Sequence, residues 1–535
     1  MSEAEPDSTT PLLPSTHPAS KRESTRHLTR LLLLACAGLL VCGGVFVAWL
    51  HLSRGGPPPF FSHIAQPRGL CAGVNGPSVS HAGHIGLAGD SDADPKRSFF
   101  WYFEAENDAA SAPIILTVGG GPGVTGLLNP MVASGPCLIT ANGTVPNPNR
   151  WTEHMNLLAL DHPIGAGFSY GTHVDNSRKA AFDVYDFLQK FFRLYPQLAK
   201  NPLVVSGGSY GGTYVPHIAT VIHEQNLLVA QRKGQPGAVH INLESMMLVN
   251  PFTSARSHFT WLLHYRCHHV KHMYNTTTCD ELYTNVLPRC LDAIDYAYQV
   301  PHWDIDRRVA ASDICGDLDQ ADTHGVLLED VRRMCEDPTQ RPCLGPTFPW
   351  LSAFFNEAHV REELDVPASL EFIALAQDVP QAFGLSGDVL QEAHLLYTPL
   401  LEAGIRLLHF VGKQDANCAW PGVLSFLKEI QSPYQADFRD APDVPWPTAE
   451  GATVRVIGPG AGSFTYILVE EAGHSVSVLF VGVSTRDSFR QGPQGPTCPF
   501  QAHRRALDTE HTLCLITYVV PRLLAWLRGL SWNVT

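Results

Sequence analysis

One stretch constrains this chain more than any other: Leu203-Val204-Val205-Ser206-Gly207-Gly208-Ser209-Tyr210-Gly211-Gly212. Leu203, Val204 and Val205 read as a short apolar strand, and the next residues fit Gly-x-Ser-x-Gly from Gly207 to Gly211. A serine lifted on a sharp strand-to-helix turn sits at strained backbone angles. Its neighbours must be small, because a Cβ there would meet the adjacent strand and helix. Glycine and serine also fill plain turns, so the pattern is read together with the rest of the chain.

The chain has 535 residues, enough for a large core and more than one compact unit. With 44% hydrophobic and 16% charged residues it is globular rather than disordered. Its formal net charge of -14, with no basic stripe beyond the N-terminal segment, argues against a nucleic-acid partner. Of 13 cysteines, Cys36 and Cys42 fall in an apolar segment; the remainder is odd, so at least one is free or pairs between chains. Cys267, Cys279, Cys290, Cys315, Cys335 and Cys343 crowd one stretch. That density suggests disulfides made in an oxidising compartment, with the pairing left open. Zinc is the rival reading, but no Cys-x-x-Cys occurs, and neither a metal nor another cofactor is expected.

Residues 1–30 are rich in Ser, Thr and Pro and read as a disordered cytoplasmic tail. Residues 31–50 form an uncharged run long enough to span a bilayer. Lys21, Arg22, Arg26 and Arg30 precede it, and Arg54 is the nearest base after it. This bias keeps the N-terminus cytosolic and sends the bulk of the chain across the membrane. A cleaved signal peptide is the alternative. The long polar lead and the bulky Val47, Trp49 and Leu50 favour an uncleaved anchor. Residues 7–14 are similar to an acidic dileucine sorting signal with the acidic spacing one residue off. A Gly/Pro-rich stalk covers 51–64. Sequons at Asn142, Asn275 and Asn533 fit a lumenal or extracellular domain in the secretory pathway, with a lysosome or vacuole among its destinations.

Beyond the stalk, residues 99–103 form a strand-like aromatic run, and 114–118 form an apolar strand that ends in Gly119-Gly120-Gly121-Pro122-Gly123. Residues 157–160 are a third strand, closed by Asp161. From Asn176 the period turns helical, with Phe182, Tyr185, Leu188 and Phe192 on one face and Pro196 after it. Strands return at 246–249, 407–411 and 465–469. Strands alternating with helices predict a mostly parallel sheet covered on both faces. Residues 254–345 break the rhythm and read as a cysteine-rich cap inserted between a first core part, 65–253, and a second, 346–535. If that piece is helical, His264, His268 and His272 share a face; a solvated histidine face is the expectation rather than a metal site.

Ser209, Asp415 and His474 occur in the chain order of α/β-hydrolases, and each follows the carboxyl end of a predicted strand, where a parallel sheet places its site. Serine is a poor nucleophile at neutral pH. It needs an imidazole to take its proton, and the imidazole needs a carboxylate to fix its tautomer. The glycine turn lets the backbone approach a substrate carbonyl and aim N–H groups at it. Tyr210 N–H, just after the nucleophile, is the expected second donor.

The chain resembles the serine carboxypeptidase family. The elbow with Thr213-Tyr214-Val215-Pro216 is similar to the family's nucleophile stretch. Residues 160–170, Leu-Asp-His-Pro-Ile-Gly-Ala-Gly-Phe-Ser-Tyr, are similar to its Leu-Asp-Gln-Pro-Val-Gly-x-Gly-Phe-Ser-Tyr block. Asp415 with Cys418 and Trp420, and Ala472-Gly473-His474, match its two remaining turns. The resemblance implies an α/β-hydrolase fold, a Ser209–His474–Asp415 triad and an oxyanion N–H from Gly121. It also implies a peptide or ester substrate cleaved through an acyl-enzyme. A carboxypeptidase-like acyltransferase and a non-catalytic binding member of the fold are the alternatives. The chain departs from the pattern at Gly119, where the family has Asn, and at Gly208 and Ala133, where it has Glu. Val124 replaces a cysteine. Those Asn and Glu side chains hold the substrate's free C-terminal carboxylate in the family, so strict carboxypeptidase specificity is not expected here. The oligomeric state is left open.

Overall fold

Runs of β-branched and aromatic residues build the centre of the molecule. The strands are β1 (Ser62–Ala65), β2 (Ser80–Gly86), β3 (Lys96–Phe103), β4 (Ile114–Val118), β5 (Asn156–Leu160), β6 (Leu203–Ser209), β7 (Leu243–Pro251), β8 (Arg406–Gly412), β9 (Ala452–Ile457) and β10 (Phe464–Val469). They pair in the order β1-β2-β3-β5-β4-β6-β7-β8-β10-β9 within one 12-stranded sheet. The two other members are the dipeptides Tyr170–Gly171, on β3, and Val444–Pro445, on β9. From β5 across to β10 every neighbouring pair is parallel. The outer pairs are antiparallel. The computed structural model describes residues 59–300, 304–335, 345–446, 451–459 and 462–475. The tail, the apolar run 31–50, most of the stalk, Cys343, Cys498, Cys514 and Asn533 lie outside the described residues. Residues 62–64, read as the end of the stalk, are part of β1. Among the described residues no helix is long and apolar enough to cross a membrane.

The main helices are α1 (Ser177–Leu194), α2 (Gly211–Ala230), α3 (Ala255–His268), α4 (Leu287–Gln299), α5 (Ile305–Gly316), α6 (Thr347–Phe355) and α7 (Trp420–Glu429). Side-chain alternation along the strands explains why both faces of the sheet are covered. Leu203 and Val205 of β6 join one apolar cluster with α1, α2 and α7. Val204, pointing the other way, joins a second cluster with α6. Each such fully buried aliphatic stabilises the fold by roughly 1.5–3 kcal/mol. Helix α1 starts where Asn176 caps it, its side chain accepting from Lys179 N at 2.9 Å. Tyr185, Leu188 and Phe192 are buried, but Phe182 is 42% exposed and lies beneath Arg178. At 100° per residue Phe182 stands to one side of the stripe that the other three share.

The stretch read as a cap contains α3, α4 and α5 around its own apolar cluster. Disulfides Cys267–Cys279 and Cys290–Cys315 lie within it, and Cys335 is also disulfide-bonded. Cys71–Cys137 joins two parts of the first core region, and Cys418 is a buried free thiol. Helix α3 ends at His268, and His272 stands beyond it at φ 67°. The three-histidine face is therefore reduced to His264 and His268, whose rings lie 4.8 Å apart.

Candidate active site

Strand β6 delivers Ser209 at its carboxyl end, and α2 begins two residues later at Gly211. Ser209 has φ +56°, an angle a non-glycine residue rarely adopts. The glycine turn after β4 makes this possible by closing on the elbow. A Cβ on Gly120 would stand 2.6 Å from Gly208 O, 2.8 Å from Ser209 Cβ and 3.1 Å from Tyr210 N. The turn thus lies against both the serine and the Tyr210 amide. The Tyr210 ring is buried, with its hydroxyl donating to Asp388 Oδ2 at 2.8 Å.

Strands β8 and β10, beyond β7 in the sheet, deliver the other two groups. Asp415 follows β8 and is fully buried; His474 follows β10 and is partly buried. His474 Nδ1 and Asp415 Oδ2 are 2.8 Å apart. Asp415 Oδ1 accepts from Asn417 N at 2.7 Å and Cys418 N at 3.1 Å, so the carboxylate is held on both oxygens. Burial alone would lower the His474 pKa. The Asp415 charge and hydrogen bond, with a smaller contribution from Glu329, outweigh it and push the imidazole up to about 9.

Ser209, His474 and Gly121 line one cavity of about 280 Å³. Gly119, Gly208, Asn129, Thr347, Phe348 and Asn417 are also on its wall, and among the described residues Glu329 is the one carboxylate there. Cys418 lies beneath. Its sulfur sits within 4.8 Å of the facing atoms of Asp415 and His474. Burial and the Asp415 charge hold that thiol protonated. Serine, not cysteine, is therefore the nucleophile this geometry can activate. The same three groups, Asp415, Cys418 and His474, have the spacing of a metal site. An ion there would take His474 Nδ1 away from Asp415 and undo the pairing that a base requires.

The sequence block at 160–170 has a mechanical role. Asp161 is buried and accepts from Gly126 N at 3.0 Å, Phe168 N at 2.8 Å and the Thr125 hydroxyl. It pins the segment after the glycine turn to the end of β5. Burial raises its pKa to about 7.

A model of the serine carboxypeptidase family matches residues 73–483. The chain belongs to that family. It is a serine hydrolase of carboxypeptidase type. The chain is similar to "Carboxypeptidase Y homolog A" of Sclerotinia sclerotiorum, with 30% identity over 399 residues, 72% of this chain and 68% of that one. The protein of the same name from Botryotinia fuckeliana gives 30% over 397 residues, with 72% and 68% coverage. Among solved structures, Kex1(delta)p, a prohormone-processing carboxypeptidase from Saccharomyces cerevisiae, superposes with TM-score 0.65 at 20% identity. That match covers 77% of this chain and 92% of the other, and it is a likeness of fold.

Three of the four positions where this member departs from the family pattern, Gly119, Val124 and Gly208, face the cavity. Ala133 is buried and does not line it. Asn129 stands near the missing Asn, but both its described donor bonds are spent, on Thr117 Oγ1 at 2.8 Å and Val118 O at 3.3 Å.

Sequence reasoning missed two residues of the site. Buried Asn250, at φ 40°, donates to the carbonyls of Gly473 and His474 at 2.8 and 2.9 Å and accepts from Gly412 N at 2.7 Å. It bridges the ends of β8 and β10. The Asn250-Pro251 pair at a strand end was its only signal. Glu329 comes from the cap, and no local pattern marks it.

Proposed function

We propose that Ser209 attacks the carbonyl carbon of a peptide or ester while His474 takes its proton, and that Asp415 holds the imidazole in the required tautomer. The N–H groups of Gly121 and Tyr210 receive the developing oxyanion. His474 then returns the proton to the leaving amine or alcohol, and water, deprotonated by the same imidazole, resolves the acyl-enzyme. The observation that carries this reading is the 2.8 Å His474–Asp415 contact on the wall of the cavity that also holds Ser209 at φ +56°. A fluorophosphonate should label the full chain at Ser209. Ser209→Ala should abolish labelling and reduce kcat roughly a million-fold while the fold survives, since only a hydroxyl is lost. Labelling that persists in Ser209→Ala overturns the assignment.

The substrate preference we propose is weak discrimination for free C-termini. A carboxylate enters such a cavity only where groups repay its lost hydration. Among the described residues no Lys or Arg lines this one; Thr347, Asn417 and Ser475 are neutral, and acidic Glu329 offsets the His474 imidazolium. Kinetics on one acyl dipeptide and its amide at pH 7 should give kcat/KM values within about tenfold, less than one charged contact would confer. A large advantage for the free acid sinks this preference but leaves the triad standing.

We further propose the topology of a single-pass membrane protein with a lumenal or extracellular catalytic region, cap 254–345 and glycans at Asn142, Asn275 and Asn533. The disulfides within the described residues favour an oxidising compartment. Asn142 and Asn275 are exposed. Asn275 caps a short helix through its oxygen, accepting from Thr278 N at 2.8 Å, which leaves its nitrogen for a glycan. Glycosidase-sensitive mass and protease protection in sealed microsomes are the expected results; a soluble mature chain starting after residue 50 refutes the anchor.

A further inference from the structure

The cap does more than cover the site. Its segment 328–331 threads between the two turns that carry Asp415 and His474. Ala416 N donates to Leu328 O at 2.8 Å, His474 N to Glu329 O at 2.6 Å, and Val331 N to Gln414 O at 3.0 Å. A Cβ on Gly473 would stand 2.3 Å from Glu329 O, so the strap and the histidine turn are in direct backbone contact. Arg332, next along, donates to the carbonyl and the carboxylate of Glu471 at 3.0 and 2.8 Å. The strap therefore fixes Glu329 relative to His474 through the main chain, and Glu329 lines the catalytic cavity.

We propose that Glu329 is a positioning residue of the cap that supplies a second negative charge for the His474 imidazolium, alongside Asp415. The proposal rests on His474 being the base. Unlike Asp415, Glu329 makes no ion-pair contact with His474, and among the described residues its carboxylate makes no hydrogen bond. It acts through the field of a low-dielectric cavity, where a charge at longer range still counts. The charged and titratable groups facing it are His474, Asp415 and Arg333. His474 is itself faced by Asp415 and Glu329. His258, buried in the same neighbourhood, is pushed down to about 4 and stays neutral near pH 7. Burial raises the Glu329 pKa and proximity to His474 opposes this. The two groups thus favour the pair Glu329⁻/His474⁺, the charge state reached when Ser209 gives up its proton.

The consequence is a pH signature that a packing role would not produce. Removing the charge destabilises the imidazolium, lowers its pKa, and moves the acid limb of the rate profile to lower pH. A weaker base also lowers the plateau. The experiment is the pH dependence of kcat/KM on a neutral acyl ester and of the Ser209 labelling rate by a neutral fluorophosphonate, for the full chain and for Glu329→Gln and Glu329→Asp. For Glu329→Gln we expect both limbs to fall by about half a unit to one unit and the plateau to drop a few-fold. Glu329→Asp should return part of the shift. Superimposable limbs in Glu329→Gln, with labelling intact and lost in Ser209→Ala, overturn the role of Glu329 alone. Labelling that survives Ser209→Ala overturns the underlying reading instead. If Glu329→Gln does not fold, Glu329→Ala takes its place with the same expected shift. A chain that folds with neither substitution marks the side chain as structural and also overturns the proposal.

Discussion

At the scale of single residues, the two glycines that replace the family's polar side chains are not equivalent. Gly208 has no positive φ, and a Cβ there would lie 3.2 Å from Val249 O, a tight contact that a small shift relieves. A Cβ on Gly119 would lie 2.0 Å from Val124 O and 2.7 Å from its carbon, both backbone atoms. Gly208→Ala should therefore cost less than about 1 kcal/mol. Gly119→Ala should cost about 1–3 kcal/mol or more and displace the oxyanion turn. Thermal unfolding together with labelling rate separates the two, and equal tolerance refutes the close packing of this turn. An asparagine placed at 119 would put its Cβ against the same backbone atoms, so one substitution does not restore it without moving the loop. The pKa of His474 sets a second expectation at this scale. Below about 9 the imidazole is protonated in the free enzyme and cannot accept from Ser209. On a neutral ester, kcat/KM should climb with pH toward a plateau near that value, and a profile flat from pH 6 upward contradicts it.

At the scale of elements, the site is held by strand ends and by what crosses between them. Asn250, at the end of β7, uses both donors and its acceptor to tie the ends of β8 and β10 together. Asn250→Asp would turn a carboxylate toward two carbonyl oxygens, and Asn250→Ala would leave three buried groups unpaired. Each should lose about 1–3 kcal/mol per orphaned group and most of the labelling rate. A variant with normal rate would show that the turns are located without it. The cap grips the acid turn from its other side. Arg266 Nε donates to Ala416 O at 3.0 Å, and the Tyr265 hydroxyl donates to Lys413 O. The histidine stretch of α3, by contrast, is a helix-end surface that these contacts do not use.

At the scale of the whole molecule, buried titratable groups decide how stability follows pH. Burial pushes His84, His217 and His258 down to about 4, and His162 and His409 down to about 3. Each is neutral when folded and protonates near 6.5 when unfolded. Between pH 6.5 and 4 the unfolded chain binds more protons, so stability is lost as pH falls. Asp161 and Asp388 oppose this: burial raises them to about 7 and about 6, so they favour the fold at acid pH. Asp183, Glu244, Glu329 and Glu392 are raised and His264 and His394 lowered by less, so the large downward shifts of the five histidines outweigh the two large upward carboxyl shifts. The unfolding midpoint should drop from pH 6.5 to pH 4, and a midpoint that rises over that range refutes the balance.

Short-range pattern carried much of this protein. The strand-turn-helix signature of 203–212, the strand ends at Asp415 and His474 and the block at 160–170 are local arrangements, legible because each needs particular residues at adjacent positions. The parallel centre of the sheet was legible too, since its strands are buried on both faces and read as continuous apolar runs. The edges were not: β2, Ser-His-Ala-Gly-His-Ile-Gly, is small and polar, and it is a strand because β1 and β3 pair with it on either side. Helix α3 stops at His268, one residue after Cys267, and the chain then returns to place Cys279 on that cysteine, an approach no periodicity announces. Tertiary structure alone brought Glu329 and Asn250 to His474. Those approaches span more than a hundred residues of chain: Glu329 is brought by main-chain hydrogen bonds, and Asn250 by its side-chain amide bonding main-chain groups of distant turns, so nothing near either residue in the sequence names its partner.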